Sequence, residues 1–352
     1  MTERTDLLVR YRNDGDDFHV LWTARRALRL FDPKSGLAAV AVEGISEREG
    51  IPAREGILAI DTAEYYGSED LAQATQVVYS QLKYSTTAPD KPWTVSGLKD
   101  TLQGFADRFT ELCQEIGATA VADKVRVRFI SNRPIAEDVG KAFDAAISGT
   151  PVEEQNKRTR TAYTSLLKAT GLTHFQFSEF AAQVDLLGDH ESHDAQARLL
   201  ETETGGYGPF LDTDASIRMK ELVRSKGLSK SARDKTIDLN TLLRQFGLGS
   251  ERELFPAEPK FDPVTDPVPR AQEEAIVRAI LDSPWPVIIR APGGVGKSVL
   301  AQRLPARLPA GSEAVVFDGF AGGDYRRGIC KSRIVLHNKA KMCEKAEFIW
   351  NK

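Results

Sequence analysis

The chain has few cysteines and no long apolar stretch. It contains three cysteines in 352 residues, and the closest pair, Cys330 and Cys343, lacks the spacing of a zinc site. Cysteines without a pairing pattern are typical of proteins from a reducing cytosol. Apolar runs such as residues 37–42 are too short to span a bilayer, and the N-terminus does not have the pattern of a signal peptide. We therefore expect a cytoplasmic protein without membrane contact.

Neither sign of charge dominates. Lys and Arg number 47 against 50 Asp and Glu, which gives a formal net charge of −3. This balance excludes a uniformly basic coat for nucleic acid, although it leaves room for a local positive groove. A chain of 352 residues is long enough for two domains, of which the first can bury a core of its own.

Hydrophobic patterning divides the chain into four parts. The first, residues 1–248, predicts an α-β-β-β-α-β arrangement followed by helices almost throughout. The expected elements are a helix at 18–31, strands at 37–42, 56–60 and 76–84, a helix at 95–116, a strand at 124–130, and helices at 137–147, 154–169, 175–184, 195–203, 213–224 and 237–246. Residues 249–270 hold five prolines among charged residues, which is typical of an interdomain linker. Residues 271–327 and 328–352 are the third and fourth parts.

A glycine-rich loop in the third part, Ala-Pro-Gly-Gly-Val-Gly-Lys-Ser at 291–298, has P-loop spacing with Ala in place of the first Gly. We expect a helix at 271–281 and a buried strand at 284–290 before the loop, and a helix at 299–304 after it. Backbone N–H groups would bind phosphate oxygens, a lysine would reach the β/γ-phosphates and a serine would hold Mg²⁺. The expected ATP-binding residues are Gly293, Gly294, Val295, Gly296, Lys297 and Ser298. A glycine-rich turn that merely precedes a helix is the disfavoured alternative.

The segment after this loop resembles a bacterial STAND NTPase, a class of large signal-transducing ATPases. Ala-Val-Val-Phe-Asp at 314–318 is similar to their second strand, and Gly-Phe-Ala-Gly-Gly-Asp-Tyr-Arg at 319–326 to the segment that follows it. The resemblance implies that residues 271–327 are the N-terminal part of a P-loop NTPase domain. Residues 314–318 also fit a loose Walker B pattern, which we interpret as structural because Walker B comes later in this family. The sequence therefore predicts ATP binding without a complete hydrolytic site.

The last part, residues 328–352, differs in composition from the rest. It carries two of the three cysteines and is rich in Lys, whereas Arg prevails before it. A basic tail for nucleic acid is one explanation. We favour a frameshift or premature end in a longer reading frame, because the nucleotide-binding fold is interrupted within its sheet. We therefore expect an aberrant tail that lies outside the ancestral fold.

A carboxylate and a lysine are expected on neighbouring strands of the first part. Asp61 follows the strand predicted at 56–60, and Gln81 and Lys83 share one face of the next strand because side chains alternate. Pairing of the two strands would bring the three side chains together. Taken singly, Asp61 is typical of a turn or a helix cap and Lys83 of a solvated edge residue. Their combination and order favour a site.

This D…QxK order resembles the PD-(D/E)xK nuclease superfamily, in the Mrr-like branch where Gln replaces the second acid. Residues 60–67, 79–85, 93–97 and 129–134 are similar to the double-stranded-DNA nuclease domain fused to STAND ATPases in bacterial antiphage defence. The resemblance, which covers about residues 15–235, implies a restriction-endonuclease-like α/β core with a helical elaboration. It also implies a DNA-cutting effector that ATP binding assembles into a homo-oligomer in the full-length form, of which this chain is a C-terminally truncated version.

Phosphodiester hydrolysis explains these residue types, because a metal ion must activate water and neutralise charge on the phosphate. Asp61 would supply one Mg²⁺ ligand, the main-chain carbonyl of Leu82 a second and the Gln81 side chain a third. Lys83 would orient the attacking water or stabilise developing charge. Glu43, at the end of the first strand, is the best additional carboxylate, and we expect it to take part in catalysis.

Other polar residues receive simpler interpretations. His19 could approach the site, and Arg25, Arg26 and Arg29 could touch DNA phosphates, but an exposed helix face is the favoured interpretation. His190 and His193 are expected in a loop or a helix cap, with a solvated loop favoured, and Glu64 is a weaker candidate carboxylate. The competing function is a degenerate nuclease fold that acts as a binding or oligomerisation module, with ATP only a ligand. A small-molecule kinase is disfavoured because no lid or acceptor site follows the phosphate loop.

Overall fold

The structure, a computed structural model, describes residues 2–51, 59–207, 214–249, 268, 270–285, 287–292, 294–309, 312–316, 334–338 and 346–347. The chain divides into two compact units, residues 1–206 with 211–247, and residues 207–210 with 248–352. The linker predicted at 249–270 begins two residues after the end of the first unit, and most of it lies outside the described residues. None of the described helices is long and apolar enough to cross a membrane.

The first unit is a mixed α/β fold with a six-stranded sheet in the order β5-β4-β3-β2-β1-β6. The strands are β1 (Leu37–Val42), β2 (Thr62–Tyr66), β3 (Gln76–Lys83), β4 (Val125–Ser131), β5 (Val184–Leu187) and β6 (Thr236–Asp238). Strands β1, β2 and β3 form an antiparallel meander, and β6 adds antiparallel to β1. Strands β3, β4 and β5 are parallel. The sheet is therefore mixed.

Helices cover both faces of this sheet. On one face α1 (Thr2–Leu28) packs against α7 (His193–Gly206) and α8 (Ala215–Lys226), and α1 contacts β1 and β3. The other face carries α2 (Val95–Ile116), α4 (Glu137–Ser148), α5 (Lys157–Thr170) and α6 (His174–Ala181). Two short helices connect to strands: α3 (Ala118–Lys124) leads into β4, and α9 (Leu239–Gln245) follows β6. With helices on both sides, the central strands are buried on both faces.

Side-chain alternation along β3 assigns its residues to the two layers. Val77 and Tyr79 are buried in the main apolar core with Phe105 of α2. Leu82 points the other way and packs against Phe18 of α1. Gln81 and Lys83 therefore belong to the α2 side of the sheet, as expected of residues two positions apart.

Polar contacts fix α1 over β2. The Thr23 and Thr62 hydroxyl groups are 2.8 Å apart, and Nε of Arg26 donates to the Glu64 carboxylate at 2.9 Å. Glu64 is fully buried, so Arg26 supplies charge that this carboxylate requires. The interpretation of Arg26 as an exposed residue is wrong, because a helix face with this spacing packs on the sheet.

The first two predicted elements are displaced in the structure. Helix α1 begins at Thr2 and ends at Leu28 instead of spanning 18–31, so the expected start at residue 18 lies within it. Strand β2 runs from Thr62 to Tyr66, whereas residues 59–60 of the predicted strand 56–60 are not in a strand and 56–58 lie outside the described residues. Asp61 therefore precedes its strand. The sequence pattern did not predict β2, because an apolar run ends just before it at residue 60 and the polar residues of β2 are buried under α1.

Two short strands interrupt the stretch predicted to be helical. Helix α6 ends at Ala181 and β5 follows, where one helix had been expected over 175–184. Strand β6 precedes α9, where a helix had been expected over 237–246. Asp238 ends β6 and caps α9, accepting the Thr241 N–H at 2.8 Å. The pairing partners of both strands are distant in sequence, so the local pattern did not contain this information.

The second unit contains α10 (Gln272–Asp282), α11 (Lys297–Arg303) and an antiparallel sheet of β7 (Ser312–Val316), β8 (Ile334–Asn338) and β9 (Ala346–Glu347). The strand predicted at 284–290 is wrong, because residues 287–290 have no regular structure and Ile288 is 48% exposed. No described strand pairs with this segment. Strands β8 and β9 lie in the expected aberrant tail, and β8 pairs with β7. The origin of that tail stays a prediction.

Candidate functional site

A cavity of about 490 Å³ opens at the end of the central sheet, between α1 and α8. On the side of the sheet, the cavity is lined by residues at the end of β1 and by the residue that precedes β2. The lining residues are Asn13, Asp16, Asp17, His19, Val20, Thr23, Val42, Glu43, Asp61, Val223, Arg224, Gly227 and Leu228. Two of the predicted site residues, Asp61 and Glu43, are therefore brought together in one concave site.

The backbone holds Asp61 between two strands. Its N–H donates to the Ser80 carbonyl at 2.9 Å, and its carbonyl accepts the Glu43 N–H at 2.8 Å. Its carboxylate accepts the Leu82 N–H at 2.7 Å through Oδ2. The N–H and C=O of a strand residue point to the same side, so the Leu82 carbonyl also faces the end of β2. The structure thus brings Asp61 close to the backbone of Leu82.

His19 lines the same cavity. Its Nδ1 lies 4.0 Å from Oδ2 of Asp61, and the side chains are 23% and 15% exposed. His19 therefore approaches the site, and the favoured interpretation of it as a surface residue is wrong. The spacing of His19, Thr23 and Arg26 along one helix face was the available signal, because all three contact β2 or the residue before it.

Glu43 stands at the end of β1 with a left-handed backbone, φ 54°. Its side chain reaches solvent at the cavity mouth. The surrounding protein nevertheless raises the pKa of the Glu43 carboxyl to about 7; loss of hydration is the largest cause, and the Asp61 and Asp16 carboxylates add to it. Lys83 opposes this rise. A cation at this point would relieve the repulsion among the carboxylates.

Gln81 does not line the cavity. Its side chain is 6% exposed, and Oε1 accepts a hydrogen bond from Oγ1 of Thr101 on α2. Because this oxygen is the ligand atom expected for Mg²⁺, the arrangement does not support a ligand role for Gln81. No sequence pattern pointed to Thr101, which lies 20 residues further along on another element.

Lys83 lies at the end of β3 and is half-buried. It is close enough to Glu43 to lower the pKa of that carboxyl, although it is not among the cavity-lining residues. The three D…QxK residues therefore do not converge on one open groove. Asp61 lines the cavity, Lys83 lies beside it, and Gln81 is turned towards α2.

Glu64, the weaker candidate carboxylate, lies away from the cavity. Its side chain is fully buried, 2.5 Å from Arg26 and 3.6 Å from Arg128. Tyr66 also donates to it at 2.8 Å. These partners neutralise Glu64 inside the protein, so it serves the packing of α1 on the sheet.

A polar network closes the far side of the cavity. Nε2 of His193 is 2.8 Å from Oδ2 of Asp17, and Arg224 of α8 forms an ion pair with Oδ1 of the same carboxylate. Burial alone would lower the pKa of His193, but the Asp17 and Asp194 carboxylates outweigh it and the pKa is raised. Asp17 thus ties α1 to both α7 and α8. His193 is the first residue of α7, so it lies at a helix start and not in the solvated loop that was favoured.

Few groups at the cavity could hold a metal ion. Asp61 and Glu43 line it, whereas Leu82 is fully buried and is not among the lining residues. Carboxylate and carbonyl oxygens are hard ligands of the kind that Mg²⁺ binds beside several waters. Within the described ranges, no three His, Cys, Asp or Glu side chains could share a metal ion. A site here would therefore depend on two carboxylates, a carbonyl and water.

The glycine-rich loop of the second unit, residues 291–298, is described in part. Gly294 and Gly296 have φ values of 79° and 82°, which glycine adopts readily. Nζ of Lys297 donates to the carbonyls of Ala291 and Pro292, each at 2.7 Å. Gly293 and the Ser298 side chain lie outside the described residues. The lysine thus binds its own loop, and a triphosphate would compete for its N–H donors.

No protein-family model matches this chain, and no curated protein is significantly similar to it. Its function is therefore inferred from the side chains that meet at the cavity and at the phosphate loop.

Proposed function

We propose that the first unit is a metal-dependent DNA endonuclease with a restriction-endonuclease-like core, and that the cavity at the end of the sheet is its active site. The observation that carries this proposal is the meeting of the Asp61 and Glu43 carboxylates at the strand ends, with Lys83 beside them. Carboxylates can hold the metal ion that activates water for phosphodiester hydrolysis, and a lysine can stabilise the charge that develops on the phosphate. The expected substrate is DNA, with Mg²⁺ as cofactor.

Each residue has a distinct role in this proposal. Asp61 and Glu43 would bind Mg²⁺, with the Leu82 carbonyl completing the protein ligands. When bound, the ion would activate a water molecule and neutralise charge on the phosphate. Lys83 would donate to the attacking water or to the phosphate oxygens as negative charge develops. Gln81, with its oxygen bound by Thr101, can offer only its amide N–H₂ group.

The second unit would bind ATP through its glycine-rich loop. Loop residues with positive φ and the adjoining helix support this, and Lys297 would exchange the carbonyls of Ala291 and Pro292 for the β/γ-phosphates. The resemblance to nuclease domains fused to STAND NTPases supports a role in antiphage defence, in which ATP binding would assemble subunits and bring their nuclease sites together. In that scheme ATP controls the nuclease and is not its substrate.

A non-catalytic binding or oligomerisation module is the second candidate. One observation favours it: Gln81 is turned towards Thr101 and Lys83 does not line the cavity. In that case the cavity would bind a ligand without cutting it, and the D…QxK residues would only support the fold.

Incubation of the purified chain with supercoiled plasmid distinguishes the two functions. The reaction should be run in Mg²⁺, in Mn²⁺ and in EDTA, each with and without ATP. The nuclease proposal predicts nicked and linear products in either metal and none in EDTA. Intact plasmid under every condition, from a protein with a cooperative unfolding transition, would leave the binding module as the function.

A further inference from the structure

A basic loop borders the mouth of the cavity. It joins α8 to β6 and comprises residues 227–235, which we call the α8–β6 loop. Its first two residues line the cavity. At its other end the Lys235 carbonyl accepts the Val42 N–H at 3.1 Å, directly before Glu43 in the chain. Both ends of the loop therefore lie beside residues of the proposed active site.

Hydrogen bonds within the loop and to the end of α8 hold it in one shape. Lys226, a buried residue at the end of α8, donates to the Asp234 carboxylate at 2.7 Å. The Ser231 hydroxyl donates to the Ser225 carbonyl at 2.7 Å, and the Asp234 N–H donates to the Ser231 carbonyl at 2.8 Å. A loop that is already ordered loses little conformational freedom when it binds a ligand.

Two cations of the loop are left for a ligand. Lys235 is half-buried and lies 3.9 Å from Glu47, so it has an acidic partner, as Lys226 does. Lys230 and Arg233 are exposed, and neither side chain forms an ion pair or hydrogen bond with a residue that the structure describes. The paired lysines thus fix the loop, and the other two cations face solvent beside the cavity.

These two cations lie within a short distance of the cavity mouth. Lys230 is two residues from Leu228, which lines the cavity, and Arg233 is two residues from Lys235. Two residues span at most about 7 Å of chain. Each strand of duplex DNA carries a phosphate for about every 3.4 Å of helix axis. If one phosphate binds at Asp61, its neighbours along the strand lie at a comparable distance from it.

We propose that the α8–β6 loop binds the DNA backbone beside the phosphate to be cut, with Lys230 and Arg233 as phosphate contacts. This inference rests on the proposed nuclease function. Glu43 is exposed at the cavity mouth, so a duplex can present a phosphate there while adjacent phosphates meet the loop. The chain as a whole carries a net charge of −3, so attraction for DNA must come from a local positive surface.

The salt dependence of DNA binding tests this proposal. Each phosphate contact contributes about 0.9 to the slope of log K against log salt concentration. Lys230→Ala/Arg233→Ala should therefore lower the slope by about 2 and weaken duplex binding at least about tenfold at about 0.1 M salt. The loss should be equal for duplexes of different sequence, because phosphate contacts carry no sequence information. Fluorescence anisotropy in Ca²⁺ measures this binding without cleavage.

Arg160→Ala/Lys168→Ala is the matched control, because both of these exposed cations belong to α5 on the other face of the sheet. It removes the same charge and should leave the slope unchanged. Lys230→Arg/Arg233→Lys keeps both charges of the loop and should bind as wild type does. An equal loss of binding in the α5 variant would mean that net charge alone governs binding, which would overturn the proposal.

Cleavage kinetics separate this inference from the proposed function. If the chain cuts DNA, Lys230→Ala/Arg233→Ala should raise KM at least about tenfold and leave kcat within about twofold, because the two residues bind phosphates that do not react. An unchanged KM and salt slope would overturn the loop contact and leave the nuclease function standing. If no DNA is cut but only the loop variant loses binding, the nuclease proposal fails and the DNA-binding surface stands. A wild-type protein that binds no DNA would refute both.

Discussion

The imidazole Nδ1 of His19 lies 4.0 Å from Oδ2 of Asp61. This contact brings the first helix of the chain to the residue on which the proposed active site depends. It is one of three contacts, with Thr23–Thr62 and Arg26–Glu64, that fix α1 along β2. The position of Asp61 is therefore coupled to the packing of a helix that precedes the whole sheet.

Removal of Arg26 should destabilise the first unit strongly. Arg26→Ala leaves the fully buried Glu64 with Arg128 at 3.6 Å as its remaining ion-pair partner. We expect a loss of about 3 kcal/mol, the lower end for breaking a buried ion pair. The measurement is the free energy of unfolding in urea.

Arg48→Ala is the control for this variant, because Arg48 is 75% exposed and pairs with Glu69 on the surface. It should cost less than about 1 kcal/mol. Adding Glu64→Gln to Arg26→Ala should restore part of the lost stability. Equal effects of Arg26→Ala and Arg48→Ala would contradict the structural role given to Glu64.

Glu43 should make the protein less stable as the pH rises. The pKa of this carboxyl is about 7 in the folded state and near 4.5 when unfolded, so the folded state binds the extra proton between these values. Stability then falls from pH 4.5 to 7. Glu43→Gln removes this dependence and should be more stable than wild type at pH 8, by about 1 kcal/mol or less because solvent screens an exposed group.

Unfolding at pH 5 and pH 8 checks this prediction. The gain from Glu43→Gln should be present at pH 8, much smaller at pH 5, and reduced by Mg²⁺ at pH 8. A variant that is equally stable relative to wild type at both pH values would show that Glu43 ionises normally.

Thr101 should matter to activity through Gln81. Thr101→Val removes the hydroxyl that binds Oε1 of Gln81 and keeps the side-chain shape. We expect slower DNA cleavage, with Thr101→Ser close to wild type. In a Gln81→Ala background Thr101→Val should have little further effect, since residues in one network are not additive. Additive losses in the double variant would mean that Thr101 acts by another route.

Lys297 should be required for nucleotide binding. Lys297→Ala removes the one side-chain charge that the loop would place on the β/γ-phosphates, so calorimetry should detect no ATP binding. Arg278→Ala is the control, since this side chain on α10 is 77% exposed. Unchanged ATP affinity in Lys297→Ala would refute the phosphate-loop assignment.

Much of the central sheet could be predicted from the sequence, because β1 is apolar throughout and β3 and β4 each contain several buried apolar residues. The same reasoning failed for β2, where Thr62 and Glu64 are buried polar residues whose partners lie on α1. It also failed for β5 and β6, which are short and pair with strands distant in sequence. Local patterns do not reveal such partners.

The candidate site could also be predicted only in part, because some of its side chains depend on partners distant in sequence. The order of residues along the chain pointed to Asp61 and Glu43, and the sheet register brings their backbones together. The prediction for Gln81 was wrong because its side chain is hydrogen-bonded to Thr101. The favoured prediction for His19 was wrong because α1 packs over the sheet and brings it close to Asp61. A side chain's role at a strand end depends on the helix that packs over it, and only the structure shows which helix that is.

Plasmid cleavage by matched lysine variants tests the nuclease proposal most directly. Lys83→Ala should reduce the cleavage rate by roughly 10²–10³-fold with DNA binding largely kept, the scale for losing one transition-state donor. Asp61→Asn should lower both cleavage and Mg²⁺ affinity. Lys141→Ala, a surface change on α4 with a side chain 51% exposed, should cut at the wild-type rate. If Lys83→Ala cuts as fast as Lys141→Ala, the cavity is not a nuclease site of the D…QxK kind.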